Sequence, residues 1–201
     1  LIEQKTDVLI ASTLPYGSCD YFSEFPGTIT LGTECLHQVL VRIAESLFQA
    51  GARKFVIING HGGNIPAIEM TAYDMSKKGA STAIMNWWQM AKFFNPKWSG
   101  GHAGGQETAA IMAIDEKMVD WSALRECSFD DVSEDITSTG LKTVKYKNVE
   151  VIMPRNVADV SDNGWIGSDH PNTATKEWGN DMLNTISDYI VEFIKAFKTT
   201  E

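Results

Sequence analysis

The sequence has few cysteines, a minority of basic residues and no long apolar run. Cys19, Cys35 and Cys127 are odd in number and show no CxxC spacing. That argues against a disulfide scaffold and for a reducing, cytoplasmic setting. Lys and Arg number 17 against 26 Asp and Glu, a formal charge of −9. A protein that neutralises nucleic-acid phosphates, or docks on an anionic membrane, needs the opposite sign. No apolar stretch approaches the roughly 18 residues of a membrane span, and no basic-then-apolar leader opens the chain. Neither a GxGxxG nor a Walker pattern is present, so a nucleotide-binding fold is not expected. What remains is an ordinary globular composition, 43% hydrophobic and 21% charged over 201 residues, enough to bury a core.

Apolar and helical stretches alternate. Val8–Ala11 is a short apolar run closed by Pro15 and Gly17, read as a buried strand. Tyr16–Thr33 reads as a loop. Thr33 is the expected N-cap of a helix whose apolar positions run from Leu36 to Phe48, with Gly51 closing it. Lys54–Ile58 is the second expected strand, followed by a helix from Ile65 to about Lys78. Ser81–Trp87 is the third strand, Trp88–Phe94 a helix stopped by Pro96, and Glu107–Ile114 a short helix. Ser128–Gly140 is polar and expected to be exposed; Lys142–Met153 alternates like a strand or hairpin. A last helix is expected from near Asn172 to Lys198. Such alternation predicts an α/β fold with a mainly parallel sheet and helices on both faces. With no linker or internal repeat, residues 1–201 read as a single domain.

In parallel sheets of this kind, ligands gather at the carboxyl ends of strands. Asn59-Gly60-His61-Gly62-Gly63-Asn64 stands at such an end. The bare backbone around His61 lets another group approach, so His61 is a candidate metal ligand or acid/base. A glycine-rich turn with an exposed histidine is the plain alternative. His102-Ala103-Gly104-Gly105-Gln106-Glu107-Thr108 is the second constellation. Glu107 falls in the first turn of a helix, where a carboxylate is favoured and stays ionised; His102 could face the same cavity. Alone, these would be a helix-start charge and a loop residue. Two glycine-embedded histidines in a chain with 4 in all point instead to metal-assisted or acid/base hydrolysis. Trp87, Trp88 and Trp98 could stack on a small planar ligand or simply pack.

With these residues the chain resembles the creatininase (creatinine amidohydrolase) family. The matching segments are Leu14–Ser18, Phe25–Leu31, Asn59–Asn64, Asn86–Trp88, His102–Gly104 with Glu107-Thr108, Gly164–Gly167, and Ala174-Thr175 with Gly179. The resemblance implies a three-layer α/β/α sandwich and a two-metal centre of zinc or manganese. It also implies hydrolysis of a C–N bond in a small cyclic or linear amide, creatinine-like or formamide-like, and a homo-oligomer, a hexamer in many members. By the same resemblance His61 and Glu107 are metal ligands and His102 handles the proton during ring opening. Trp98, Ser18, Gly62 and Asn64 take substrate-binding positions.

The departures are specific. The family's opening Glu-x-His pair and bridging Asp lie upstream of the Tyr16-Gly17 segment, and Glu3-Gln4 does not match them. The chain begins without methionine, as if entered partway through a domain. Asp20-Tyr21 stands where many members have Glu-His, and Gly101 where many have an acidic residue. Two ligands cannot fill two metal shells, since a catalytic zinc takes about three protein ligands. The expectation is therefore a fragment, a missing separate chain, or a protein that has lost its metals. In the last case it would be a metal-free, non-catalytic ligand-binding or assembly subunit.

Overall fold

A computed structural model describes residues 2–128 and 130–200. The chain divides into two compact units. The first comprises Leu1–Asp20, Ile29–Met90 and Asn184–Glu201; the second comprises Tyr21–Thr28 and Ala91–Leu183.

The first unit is built on one parallel strand pair. Helix α1 (Gly32–Gln49) buries Leu36 and Ala44. It starts one residue before the expected Thr33 cap, with Gly32 in the left-handed region at φ 69°. Gly51, at φ 108°, ends the turn after it, as glycine does when the chain must leave a helix in that conformation. Strand β1 (Lys54–Asn59) carries the aromatic and β-branched run Phe55–Ile58 that suits a pleated surface. Helix α2 (Ile65–Lys77) leads to β2 (Ser81–Asn86), which pairs with β1 in parallel register from Lys54↔Ser81 to Asn59↔Asn86. Parallel strands need such a crossover. Met75, fully buried, packs with Ala44, Ala80, Phe48 and Phe55. Helix α3 (Trp87–Phe94) follows β2 without a break.

The expected strand at Val8–Ala11 does not form. Residues 8–15 pair with nothing in a ladder, and Leu9 is 85% exposed. An apolar run becomes a strand only if a neighbour takes its N–H and C=O groups. Among the described residues the parallel sheet consists of β1 and β2.

In the second unit, α4 (Gly105–Asp115) buries Gln106, Ala109 and Ala110. An antiparallel sheet follows in the order β3 (Ile136–Gly140), β4 (Thr143–Tyr146), β5 (Val149–Ile152). The expected hairpin at Lys142–Met153 is β4–β5, turning through Lys147 and Asn148, both at positive φ. Two successive left-handed residues are what a tight hairpin turn requires. β3 lies inside Ser128–Gly140, which had read as merely polar and exposed. It pairs with β4, and Arg155 ties down its edge by donating to Ser138 Oγ and Gly140 O.

Helix α5 (Lys176–Lys198) begins four residues later than expected from Asn172. Pro171–Thr173 forms a separate 3-10 turn, and the Thr175 hydroxyl accepts the Trp178 N–H at 3.1 Å, a proper helix start. Gly179 lets α5 approach α4: a Cβ there would lie 1.9 Å from Ala109 O. The strands and helices make a mixed α/β protein with its parallel pair where the alternation placed it. Among the described residues no helix is long and apolar enough to cross a membrane.

Candidate active site

The first unit holds the His61 loop through a chain of amides. Asn59, the last residue of β1, is 2% exposed. Its Oδ1 accepts the His61 N–H at 3.1 Å and Asn64 Nδ2 at 3.2 Å, and its Nδ2 donates to Asn86 Oδ1 at 2.8 Å. Asn86, paired with Asn59 across the sheet, donates in turn to Gln89 Oε1. The strand ends thus fix the loop directly. His61 has extended backbone and leads into the 3-10 turn Gly62–Asn64. Its side chain is half-buried. Gly62 faces Trp88, whose Cζ2 would be 3.8 Å from a Cβ there. Trp87 and Trp88 meet edge to face at 6.5 Å.

Ser18 and Asn64, expected on the substrate wall, are placed within this same support. Asn64 Oδ1 accepts the Ser18 N–H at 2.9 Å, and the Ser18 hydroxyl shares a hydrogen bond with Thr33 at 3.1 Å. Ser18 is only 4% exposed. A Cβ at Gly17 would lie 2.3 Å from Asn64 Oδ1, so the approach depends on glycine. Their polar atoms hold the loop together, because the backbone on both sides needs those partners. Next to them, burial first and the charge of Asp20 second push the Cys19 thiol pKa up.

The second unit carries His102, Glu107 and Trp98. His102 is exposed, at 42% of its side chain, and its ring packs on Phe22 with centroids 4.4 Å apart. Its Nδ1 lies 3.6 Å from Glu107 Oε2. The same carboxylate oxygen accepts the Ala103 N–H at 2.8 Å, and Ala103 has φ 57°. Behind the loop, Ile166 N–H donates to His102 O at 3.1 Å. Trp98 ends the 3-10 turn Pro96–Trp98, and its carbonyl accepts the side-chain amide of Gln106. His102, which could share a cavity with Glu107 from its place in the sequence, stands beside that carboxylate within this unit. Nδ1 is the ring nitrogen on the carboxylate side, which leaves Nε2 on the opposite edge of the ring.

The donor set can be tested against the expected metals. In the first unit the loop offers His61, with glycines on either side; in the second, His102 and Glu107 stand together. Among the described residues no three His, Cys, Asp or Glu side chains form a group that could hold a metal ion. Against the roughly three ligands of a catalytic zinc, these residues do not fit a complete two-metal centre.

The roles of three residues do not show in the sequence. Asn59 and Asn86 were read as parts of motifs, with no hint that they bond each other across a strand pair. Asp169 was not singled out at all, yet its carboxylate accepts the N–H groups of Gly101 and Gln106, both at 2.9 Å. The signal available was its place two residues after the matching segment Gly164–Gly167.

The comparisons with known proteins agree with one another. A sequence model described as "Creatininase: Creatinine amidohydrolase" matches residues 1–194. The "Mycofactocin precursor peptide peptidase" of Mycolicibacterium smegmatis is 29% identical over 192 residues, covering 92% of this chain and 67% of that protein. Its namesake from Mycobacterium tuberculosis (strain CDC 1551 / Oshkosh) is 26% identical over 186 residues, covering 90% and 62%. The chain thus spans about two thirds of the length of these curated relatives. Among solved structures, a creatinine amidohydrolase (creatininase) superposes with TM-score 0.64 at 20% identity, over 92% of this chain and 73% of that one. A creatininase described as "Creatininase Mn" gives TM-score 0.61 at 19% identity, over 90% and 72%. The fold is creatininase-like, and with its family signature running from residue 1 to residue 194 the chain belongs to the creatininase family.

Proposed function

We propose that the chain hydrolyses a C–N bond of a small cyclic or linear amide, with His102 carrying the proton. The observation that carries this reading is the exposed His102 ring, set on a glycine-rich loop with its Nδ1 side toward Glu107. In the reaction, the oxygen of water bonds to the amide carbonyl carbon and the C–N bond breaks. A proton from water ends on the departing nitrogen, delivered by His102 Nε2 acting first as base and then as acid. Glu107 orients the ring. Trp98, half-buried on the neighbouring turn, offers a flat face for a planar amide.

By the family resemblance His61 would be a ligand to one divalent ion, zinc or manganese, and Glu107 a ligand to a second. Among the described residues no three His, Cys, Asp or Glu side chains form a group that could hold such an ion. The competing reading is a metal-free ligand-binding or assembly subunit of the same fold. A second substrate class, the amide bond of a peptide, is favoured by the names of the curated relatives. The reading also carries a homo-oligomer, which sedimentation would resolve.

The test is a panel of creatinine-like cyclic amides, formamides and short peptides, incubated with the protein and Zn²⁺ or Mn²⁺. Released amine and carboxylic acid are followed by mass spectrometry. One amine per small amide consumed is the expected result. Release from peptides alone would shift the assignment to a peptidase. Saturable binding without any release would make it the non-catalytic subunit.

A further inference from the structure

The loop that carries His102 is folded around one carboxylate from a distant segment. Asp169 Oδ1 accepts the Gly101 N–H and Oδ2 accepts the Gln106 N–H, both at 2.9 Å. His102 lies between those two anchored amides in the chain. Glycines make the approach possible: a Cβ at Gly100 would lie 2.7 Å from Asp169 Oδ2, and one at Gly104 2.2 Å from Oδ1. Even the shortest side chain would push the carboxylate away.

Asp169 is itself fixed. Trp165 Nε1 donates to the Asp169 carbonyl at 3.0 Å. Ile166 N–H donates to His102 O, and a Cβ at Gly101 would lie 2.2 Å from Ile166 O. Residues 165–169 are therefore joined to residues 100–106 on both sides of His102. Gln106, whose N–H Asp169 holds, is 1% exposed, and its side-chain amide donates to Trp98 O. One carboxylate thus fixes both ends of the histidine loop and, through Gln106, the turn bearing Trp98.

Capping of α4 accounts for part of this. A helix start leaves N–H groups to satisfy, and a carboxylate suits them. Capping does not account for the bond to Gly101, which lies outside the helix, or for the close glycines at 100 and 104. Those features serve the placement of the loop.

We propose that Asp169 is a positioning residue of the site: it sets the His102 imidazole and the Trp98 turn relative to each other while touching no reacting atom. Its kinetic consequence rests on the C–N hydrolase reading; its structural consequence does not.

The test uses Asp169→Ala and Asp169→Asn in the full chain, with Val157→Ala as a destabilised control. Val157 is fully buried in the same unit and takes no part in the loop. Asparagine keeps the shape but turns an N–H donor toward one of the two backbone donors. In Asp169→Ala, kcat is expected to fall about 100-fold with KM changed less than about threefold; Asp169→Asn should fall between. Independently of activity, the Gly101 and Gln106 amides should lose hydrogen-exchange protection and the His102 ring resonances should move. The amides of β1 and β2 should keep their protection. Val157→Ala should leave the His102 resonances and the turnover per folded molecule unchanged.

Unchanged resonances and exchange in both Asp169 variants would overturn the proposal. So would a kcat loss that merely tracks the folded fraction, as in Val157→Ala. If Asp169→Ala does not fold, Asp169→Asn decides by the same criteria. If the parent protein releases no amine from any amide, the hydrolase reading fails, and the exchange and resonance readouts judge Asp169 alone.

Discussion

Glu107 Oε2 accepts the backbone N–H of Ala103 at 2.8 Å while standing 3.6 Å from Nδ1 of His102. Ala103 sits at φ 57°, a left-handed conformation that costs a residue with a Cβ about 1–2 kcal/mol. The carboxylate therefore does two things at once: it holds a strained backbone in place and faces the imidazole that this backbone presents.

Glutamine at position 107 separates the two. Its side-chain oxygen can still accept from Ala103, but it carries no charge. Glu107→Gln is expected to unfold near the parent's midpoint while amide hydrolysis falls about 100-fold. Glu107→Ala should also lose the hydrogen bond, for a further cost of about 1 kcal/mol, reduced by the 38% exposure of the side chain. Thermal unfolding and steady-state kinetics read the two effects. Full activity in Glu107→Gln would show that the charge does nothing.

Asn59 makes the corresponding prediction for the first unit. Truncation to alanine removes the acceptor of His61 and Asn64 and leaves Asn86 Oδ1 without its buried donor. Asn59→Ala should lose about 2–3 kcal/mol of stability, read as a lower urea midpoint at unchanged slope. A midpoint within error of the parent would mean that the amide chain is not what holds the His61 loop.

The cysteines give a pH prediction. Only the thiolate reacts with alkylating agents. Burial, and then the charge of Asp20, push the Cys19 pKa up, so less of it is thiolate at any given pH. Cys35 is exposed on α1. Iodoacetamide at pH 8 should label Cys35 well before Cys19, and Cys19 should gain rate at higher pH. Asp20→Asn should bring that gain to lower pH. Equal labelling of both thiols at pH 8 would contradict the placement of Cys19.

Much of this was legible in the residues. The strand–helix–strand unit around β1 and β2 followed from an apolar β-branched run, a helical spacing and glycine stops. The His61 and His102 loops were found because glycine clusters beside histidine are rare and informative. What could not be read were relationships made by tertiary pairing. Val8–Ala11 looked like a strand, but pairing, which sequence periodicity does not reveal, decides that. β3 was hidden because its polar alternation, Ile136 to Gly140, resembles an exposed loop until β4 lies beside it. Asp169 was hidden because its partners are backbone N–H groups more than sixty residues away, and backbone carries no sequence signal. Ser18 and Asn64 took substrate-binding positions by the family resemblance, which carries no information on their hydrogen-bond partners. Their atoms are bonded inside the loop.

The donor count makes a prediction of its own. His61 and Glu107 fall short of the about three ligands a catalytic zinc takes. The 201-residue chain, dialysed after loading with Zn²⁺ or Mn²⁺, should retain less than one equivalent by elemental analysis. Stoichiometric retention would show that the chain holds a full ligand set.

The most direct measurement is the turnover of His102→Ala on whichever amide the parent cleaves. General acid–base catalysis contributes about 10²- to 10⁴-fold, so kcat should drop by that factor while Tm and the exchange protection of β1 and β2 stay at the parent's values. Undiminished turnover by a folded His102→Ala protein would contradict the assignment of proton transfer to this ring.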